Sequence, residues 1–184
     1  MHEEIIFAGF GGQGILFVGQ LLAYAALAEG KHVTWIPSYG PEMRGGTANC
    51  TVVVSDEPIG SPVCRHPSIA AVFNNPSLEK YEGLVKPGGL LVVNESLVVH
   101  RPGRADLEVV LLPATTLASE LGEVRATNIV MLGTLLTRRP LVDAATVEQV
   151  MRDKLGARRA HMLEVNMAAL ERGMELSLAQ QTIA

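Results

Sequence analysis

A glycine-rich segment near the N-terminus, IIFAGFGGQGILF at residues 5–17, constrains the fold most strongly. It follows the pattern G-x-G-x-x-G between two apolar runs. It predicts a buried strand at Ile5–Ala8, a tight turn, and a helix at Ile15–Glu29 that Gly30 terminates. Gly9 is expected to allow the turn, Gly11 the approach of a pyrophosphate, and Gly14 close packing of the helix on the strand. The candidate phosphate-binding residues here are Gly9, Gly11, Gly12, Gln13 and Gly14.

The spacing of further apolar segments is typical of an α/β protein. A second strand is predicted at Val33–Ile36, where Pro37 would end it. Residues 47–54 alternate between one apolar and one mixed face, which predicts another strand. More strands are predicted at Ile69–Phe73, Leu90–Val93 and Leu107–Leu112, and helices at Pro76–Leu84, Thr115–Leu121, Asn128–Leu136, Ala144–Leu155 and Arg159–Leu178.

These elements predict one domain over residues 1–184, with a Rossmann-like, mostly parallel sheet, flanking helices and a helical C-terminal part. Asn128 is interpreted as the N-cap of its helix. The last helix carries an apolar stripe at three- and four-residue intervals: Leu163, Met167, Leu170 and Met174. This stripe favours packing against the chain's own sheet, with a subunit contact as the alternative.

Composition excludes several classes of function. The net charge of −4 and the absence of a basic run longer than a pair disfavour nucleic-acid binding. Charged residues make up only 18% of the chain, which is typical of a surface buried against a partner or of a large core. Neither a signal peptide nor a membrane span is predicted, so a cytoplasmic location is expected. Cys50 and Cys64 fit no cluster or zinc spacing, and two buried free thiols are expected rather than a disulfide.

The end of the second strand tests whether the turn belongs to an NAD site. Such a site needs an acidic residue there to hold the ribose, but this chain has Ile36, Pro37 and Ser38. A second glycine-rich loop follows, in which Arg44 could bind a phosphate through its planar guanidinium group, or form a solvated pair with Glu42. Both loops are expected at the carboxyl edge of the sheet. The candidate binding residues of the second loop are Ser38, Tyr39, Arg44, Gly45 and Gly46.

Several motifs together resemble the gamma subunit of 2-oxoacid:ferredoxin oxidoreductases. They are GFGGQG, SYGPEMRGGTANC and SDEPIGSPV, and the helical TNIVMLGTLL extends the resemblance over nearly the whole chain. The motif GPEMRGGTANC is most similar to that of the 2-oxoglutarate or branched-chain 2-oxoacid enzymes. The resemblance implies decarboxylation of a 2-oxoacid on thiamine diphosphate, electron transfer through [4Fe–4S] clusters to ferredoxin, and acyl transfer to coenzyme A.

The same resemblance implies that thiamine diphosphate and the clusters lie in partner alpha, beta and ferredoxin-like delta subunits. This chain would then carry no catalytic residue and no metal of its own, and would help to receive coenzyme A. Two alternatives stay open from the residues alone: an NADP-type oxidoreductase that acts without partners, and a purely structural subunit. The 2-oxoacid itself is not specified by the sequence, and the isolated chain could form a homodimer.

Overall fold

A six-stranded sheet forms the centre of the computed structural model, which describes residues 1–38, 47–155 and 160–179. The strand order is β2-β3-β1-β4-β5-β6. Neighbouring strands from β1 through β4 and β5 to β6 pair in parallel, whereas β3 runs antiparallel to both β1 and β2. Five strands therefore share one direction, and the predicted mostly parallel sheet is confirmed. The strands are β1 His2–Phe10, β2 His32–Ser38, β3 Thr47–Ser55, β4 Ile69–Val72, β5 Leu90–Asn94 and β6 Glu108–Leu112.

Helices cover both faces of the sheet, as predicted. Five of them share the larger core with one face, while α2 and the short 3-10 helix after it pack on the other. No helix within the described ranges is both long and apolar enough to cross a bilayer. The helices are α1 Ile15–Ala28, α2 Asn75–Tyr81, α3 Ala114–Glu120, α4 Thr127–Arg138, α5 Ala144–Leu155 and α6 Ala160–Ala179, with 3-10 helices at Glu82–Leu84 and Val124–Ala126.

Helix α1 is bounded by two glycines in left-handed backbone conformations. Gly14 is the N-cap, with φ of 72°. Gly30 follows the C-terminal end with φ of 79°, and the Lys31 N–H donates to the Ala26 carbonyl at 3.0 Å, as in a Schellman motif. Because residues with a Cβ atom are strained at such φ values, the glycines fix both ends of this helix.

Strand β2 continues through Pro37 to Ser38, so the expectation that Pro37 ends it is wrong. The reason is the position of the strand, which lies at the edge of the sheet and, among the strands of the described residues, pairs only with β3. A proline has no N–H to donate, and an edge strand tolerates that loss on its unpaired side.

Helices α4 and α6 cross at two glycines, Gly133 and Gly173. A Cβ atom on Gly133 would overlap the Leu170 carbonyl, and one on Gly173 would overlap the Val130 carbonyl. The Thr134 hydroxyl donates to the Gly173 carbonyl at 3.1 Å across this crossing. The last helix packs within its own domain, and all four residues of its apolar stripe contact the larger core. It lies mainly against α4 rather than directly on the sheet, as had been expected, because the two glycines let α4 and α6 approach closely.

Candidate functional site

The glycine turn lies between the carboxyl end of β1 and the N-terminus of α1, as predicted. Gly12 and Gly14 have positive φ values of 91° and 72°. Gly11 and Gly12 are exposed, so their backbone is open to a ligand. The first turn of an α-helix has N–H groups without acceptors inside the helix, and its dipole favours an anion. The turn therefore has the features of a phosphate-binding loop.

Gly9 and Gln13 hold the turn in shape. A Cβ atom on Gly9 would come within 2.9 Å of the Phe73 Cβ and 2.8 Å of the Ile15 Cδ1, so only glycine fits at this buried position. The Gln13 side-chain carbonyl accepts a hydrogen bond from the Phe10 N–H at 2.6 Å. The tight packing expected of Gly14 against the strand is thus found at Gly9 instead, because Gly9 faces Phe73, directly after β4, and Ile15, the first residue of α1.

Gly14 packs against the side chain of Asn128, which lies in the first turn of α4. The Asn128 Nδ2 donates to the Gly14 carbonyl at 3.0 Å, and a Cβ atom on Gly14 would overlap this amide. Asn128 is only 4% exposed. The expectation that Asn128 is an N-cap is wrong, because the 3-10 helix Val124–Ala126 leads directly into α4 and Ala126 holds the cap position. Its amide is instead a support for the turn.

A cleft of about 280 Å³ opens beside the glycine turn, and residues from three stretches of the chain line it. The Glu123 carboxylate accepts from the Arg125 N–H at 3.0 Å, and the Arg125 side chain is exposed. Asn166, from α6, is 8% exposed. Sequence reasoning missed these three residues, because no motif links them to the turn. The lining residues are Gly12, Gly14, Phe17, Glu123, Arg125, Ala126, Asn128, Met162 and Asn166.

Ser38 lies at the same edge of the sheet as the glycine turn. It pairs in register with Asn49 of β3, which in turn pairs with Ala8 of β1. The carboxyl ends of β1 and β2 therefore meet at one edge, as expected. The other predicted residues of the second loop, Tyr39, Arg44, Gly45 and Gly46, lie outside the described residues, as does Glu42.

Glu29, an acidic residue shortly before the second strand, interacts with other residues of the fold. Its carboxylate accepts from the Asp143 N–H at 2.7 Å and forms an ion pair with Lys31 at 2.9 Å. Burial opposes its ionisation, but the hydrogen bonds from Asp143, Lys31 and Thr146 outweigh this and lower the pKa of Glu29 below its usual value. Glu29 therefore joins α1 to α5 and is not a ribose-binding acid.

Both cysteines are free thiols, but only one is fully buried. Cys50 contacts the Ile15 carbonyl at 3.4 Å, and burial raises the pKa of its thiol to about 12. Cys64 is half-buried rather than buried as expected, and burial together with the Glu4 carboxylate raises its pKa to about 11. Thiols with such pKa values remain protonated and unreactive near neutral pH. Among the described residues, no group of three or more His, Cys, Asp or Glu side chains is placed to hold a metal ion.

Comparison with known proteins places this geometry in a family. Residues 4–176 match the family described as pyruvate ferredoxin/flavodoxin oxidoreductase. The chain is 38% identical over 171 residues to the ketoisovalerate oxidoreductase subunit VorA of Methanothermobacter marburgensis, and it spans 35% of that protein's length. It is 36% identical over 182 residues to the 2-oxoglutarate synthase subunit KorC of Methanocaldococcus jannaschii, and these residues cover 95% of that protein. The two alignments cover 91% and 96% of the present chain.

Two solved structures share the fold. The gamma subunit of a keto/oxoacid ferredoxin oxidoreductase from Geobacter sulfurreducens PCA is 28% identical, with a TM-score of 0.84 over 97% of this chain and 99% of that one. The 2-oxoglutarate:ferredoxin oxidoreductase from Magnetococcus marinus, solved with 2-oxoglutarate, coenzyme A and succinyl-CoA bound, is 26% identical, with a TM-score of 0.89 over 98% of this chain and 32% of that one. The chain therefore belongs to the pyruvate ferredoxin/flavodoxin oxidoreductase family.

Proposed function

We propose that the chain is the gamma-type subunit of a 2-oxoacid:ferredoxin oxidoreductase complex and contributes to coenzyme A binding. Such a complex decarboxylates a 2-oxoacid, transfers the acyl group to coenzyme A and passes the electrons to ferredoxin. The names of the relatives, a ketoisovalerate oxidoreductase and a 2-oxoglutarate synthase, support this reaction class. They also support 2-oxoglutarate or a branched-chain 2-oxoacid as the substrate.

The proposal assigns the redox chemistry to other chains. Thiamine diphosphate and [4Fe–4S] clusters would be held by alpha, beta and ferredoxin-like delta subunits in the cytoplasm, and ferredoxin would contact the complex through those subunits. The residues of this chain would bind and orient coenzyme A. No nucleophile or general base is assigned to it.

The observation that carries the coenzyme A role is the shape of the glycine turn. Coenzyme A offers a pyrophosphate and a ribose 3′-phosphate, and a loop of exposed backbone at a helix N-terminus suits the pyrophosphate. The Gly12 and Gly14 backbone adopts positive φ values there. At Gly9, where the turn begins, the surrounding atoms leave no room for a Cβ atom. Arg44, in the adjoining loop, is the candidate for a further phosphate.

The end of β2 favours coenzyme A over a nicotinamide nucleotide. An NAD site has an acidic residue at the end of the strand next to the glycine-turn strand. Here β3 lies between β1 and β2, the exposed Ser38 ends β2, and Glu29 is held by Asp143 and Lys31. A carboxylate at this position would repel a phosphorylated ribose, so its replacement by a hydroxyl suits the 3′-phosphate of coenzyme A.

The proposal is tested by purifying the complex from its native host through a tag on this chain, without oxygen. The eluate is assayed for 2-oxoacid- and coenzyme A-dependent reduction of viologen with several 2-oxoacids. Co-purification of thiamine diphosphate, iron–sulfur protein and activity is the expected result, and the fastest substrate identifies the 2-oxoacid. A lone, inactive chain that binds NADP would support the stand-alone oxidoreductase instead. An active complex whose coenzyme A affinity is unaffected by changes in the glycine turn would support a purely structural role.

A further inference from the structure

The connection from β5 to β6 leaves part of the sheet uncovered. Parallel strands are usually joined by a crossover helix that packs on the sheet, but this connection, residues 95–107, contains no helix and is called the β5–β6 loop below. Val109 and Leu111 of β6 lie on the sheet face that α2 covers elsewhere, and both remain partly exposed. A groove of about 350 Å³ lies beside them, with Leu107, Val109 and Leu111 on its apolar side and residues 101–105 on the other.

The β5–β6 loop is held in place by two side chains that each accept a pair of consecutive backbone N–H groups. The Asn75 Oδ1 atom, at the start of α2, accepts from residues 99 and 100 at 2.9 and 3.2 Å. The Glu82 Oε1 atom accepts from residues 103 and 104 at 2.6 and 2.9 Å. Because these bonds fix the loop, little conformational entropy is lost when its side chains bind a partner.

The fixed loop presents an apolar side chain and a positive charge to solvent. Val99 is 77% exposed, more than any other large apolar side chain in the ranges that the structure describes. Arg101 is exposed and forms no ion pair within those ranges, whereas the neighbouring Arg104 is paired with Asp106. Exposed apolar surface marks sites of protein interaction, and arginine is enriched in protein interfaces. The groove and its rim therefore have the features of a surface that binds another protein.

The lengths of the relatives indicate which protein this is. The domain accounts for 35% of VorA from Methanothermobacter marburgensis and 32% of the Magnetococcus marinus chain, so most of each of those chains lies outside it. In KorC of Methanocaldococcus jannaschii, by contrast, the domain makes up 95% of the chain. A domain of the KorC kind has to bind through its surface the neighbour that the longer chains carry by covalent attachment.

We propose that the groove and the exposed part of the β5–β6 loop form a docking surface for another subunit of the oxidoreductase complex. The occupant is a segment whose apolar side chain enters the groove beside Val99 and whose Asp or Glu carboxylate pairs with Arg101, since complementary charge selects and orients a partner. The inference rests on the proposed function, but it concerns a different surface from the glycine turn, because β4 and β5 separate β6 from β1.

The first test uses the complex purified through the tagged chain, with Val99→Asp and Arg101→Glu as variants. The concentration at which half of the other subunits stay bound to this chain is measured. We expect each variant to raise it about tenfold or more, because the added carboxylate would face that of the partner. Val63→Asp and Arg65→Glu, at exposed positions of the separate cleft beside Lys86, are the matched controls and should leave it unchanged. Both test variants should keep the wild-type melting temperature, because the replaced side chains are exposed.

A photo-cross-link identifies the occupant. With p-benzoylphenylalanine in place of Val99, irradiation of the active complex should link this chain to another subunit. Mass spectrometry of the linked peptide should then show an Asp or Glu close to an apolar residue. A link to a second copy of this chain, or no link in an active complex, would overturn the inference and leave the coenzyme A proposal standing.

The binding measurements can also contradict the docking surface. Unchanged retention of the other subunits by both variants would overturn it. Lower melting temperatures for both variants, without a cross-link, would show that the loop serves the fold alone and would overturn it too. If no other subunit co-purifies with the wild-type chain, the proposed function fails and this inference fails with it.

Discussion

The side-chain amide of Asn128 donates a hydrogen bond of 3.0 Å to the backbone carbonyl of Gly14, a residue 114 positions earlier in the chain. The same carbonyl accepts from the Val18 N–H at 3.0 Å, as the first hydrogen bond of α1. Helix α4 therefore supports the residue at which the glycine turn becomes a helix. The orientation of the Gly14 peptide, and of the N–H groups next to it, depends on this contact.

Replacing Asn128 should destabilise the fold. We expect Asn128→Ala to lower the free energy of unfolding by about 1–3 kcal/mol, because it removes a buried hydrogen bond and leaves a small cavity. Asn128→Asp keeps the shape but places a carboxylate against the carbonyl, so it should lose at least as much at pH 7. The measurement is urea denaturation of the full chain. An Asn128→Asp variant as stable as the wild type would show that the donated hydrogen bond does not matter.

Gly14 and Gly30 provide a matched pair for the turn. Both have positive φ values, 72° and 79°, but only Gly14 has a neighbour that an added Cβ atom would overlap. Gly30→Ala should cost about 1–2 kcal/mol from backbone strain alone, and Gly14→Ala at least 1 kcal/mol more. Adding Asn128→Ala to Gly14→Ala should recover part of the difference, as a double-mutant cycle would show. Equal losses for the two single variants would contradict the close contact.

The crossing of α4 and α6 should tolerate no side chain at Gly133. We expect Gly133→Ala to destabilise the chain by about 1–3 kcal/mol or more, because its Cβ atom would overlap the backbone carbonyl of Leu170. Gly83→Ala is the control, since Gly83 is exposed and has no atom within 4 Å of the added Cβ. The measurement is the melting temperature of each variant, and we expect that of Gly133→Ala to be the lower. A Gly133→Ala variant as stable as Gly83→Ala would mean that the helices can separate freely.

The contact of Glu29 with α5 predicts a pH dependence. The folded state lowers the pKa of Glu29 below its usual value of about 4.5, so its ionised form adds stability above that pH. This contribution is lost as the pH falls from 4.5 through the lower folded pKa. Unfolding free energies between pH 7 and pH 3 should show a gap between wild type and Glu29→Gln that closes in acid. The exposed Glu120→Gln serves as control, and a Glu29→Gln gap independent of pH would be the contrary result.

Most of the fold follows from local patterns in the sequence. The apolar runs locate all six strands of the described residues to within a few positions. Helix α1 begins at Ile15 as predicted and ends at Ala28, one residue before the predicted Glu29. The alternation of residues 47–54 does not indicate the direction of β3, because a period of two is the same in parallel and antiparallel strands. Eight residues separate Ser38 from Thr47, fewer than the dozen or so that a parallel crossover needs. This short connection indicates that β2 and β3 are antiparallel.

The site is less predictable, because its support comes from distant residues. The turn itself was identified from its glycine spacing, and its position at the carboxyl edge beside Ser38 is confirmed. The sequence predicts Asn128 as a cap, since asparagine near the start of a helix is most simply one, whereas its amide supports the glycine turn. Asn166 and the Gly133–Gly173 crossing depend on how α6 packs, which the periodicity of one helix does not specify.

The most direct test of the account is the coenzyme A affinity of the assembled complex with Gln13→Glu. This change preserves the oxygen that accepts from the Phe10 N–H and adds a negative charge to the turn. If the turn holds the pyrophosphate, repulsion should weaken coenzyme A binding by about tenfold or more, while Gln20→Glu, in the separate groove of α1 beside Trp35, should not. Equal affinity for wild type and Gln13→Glu would contradict the assignment of coenzyme A to this turn.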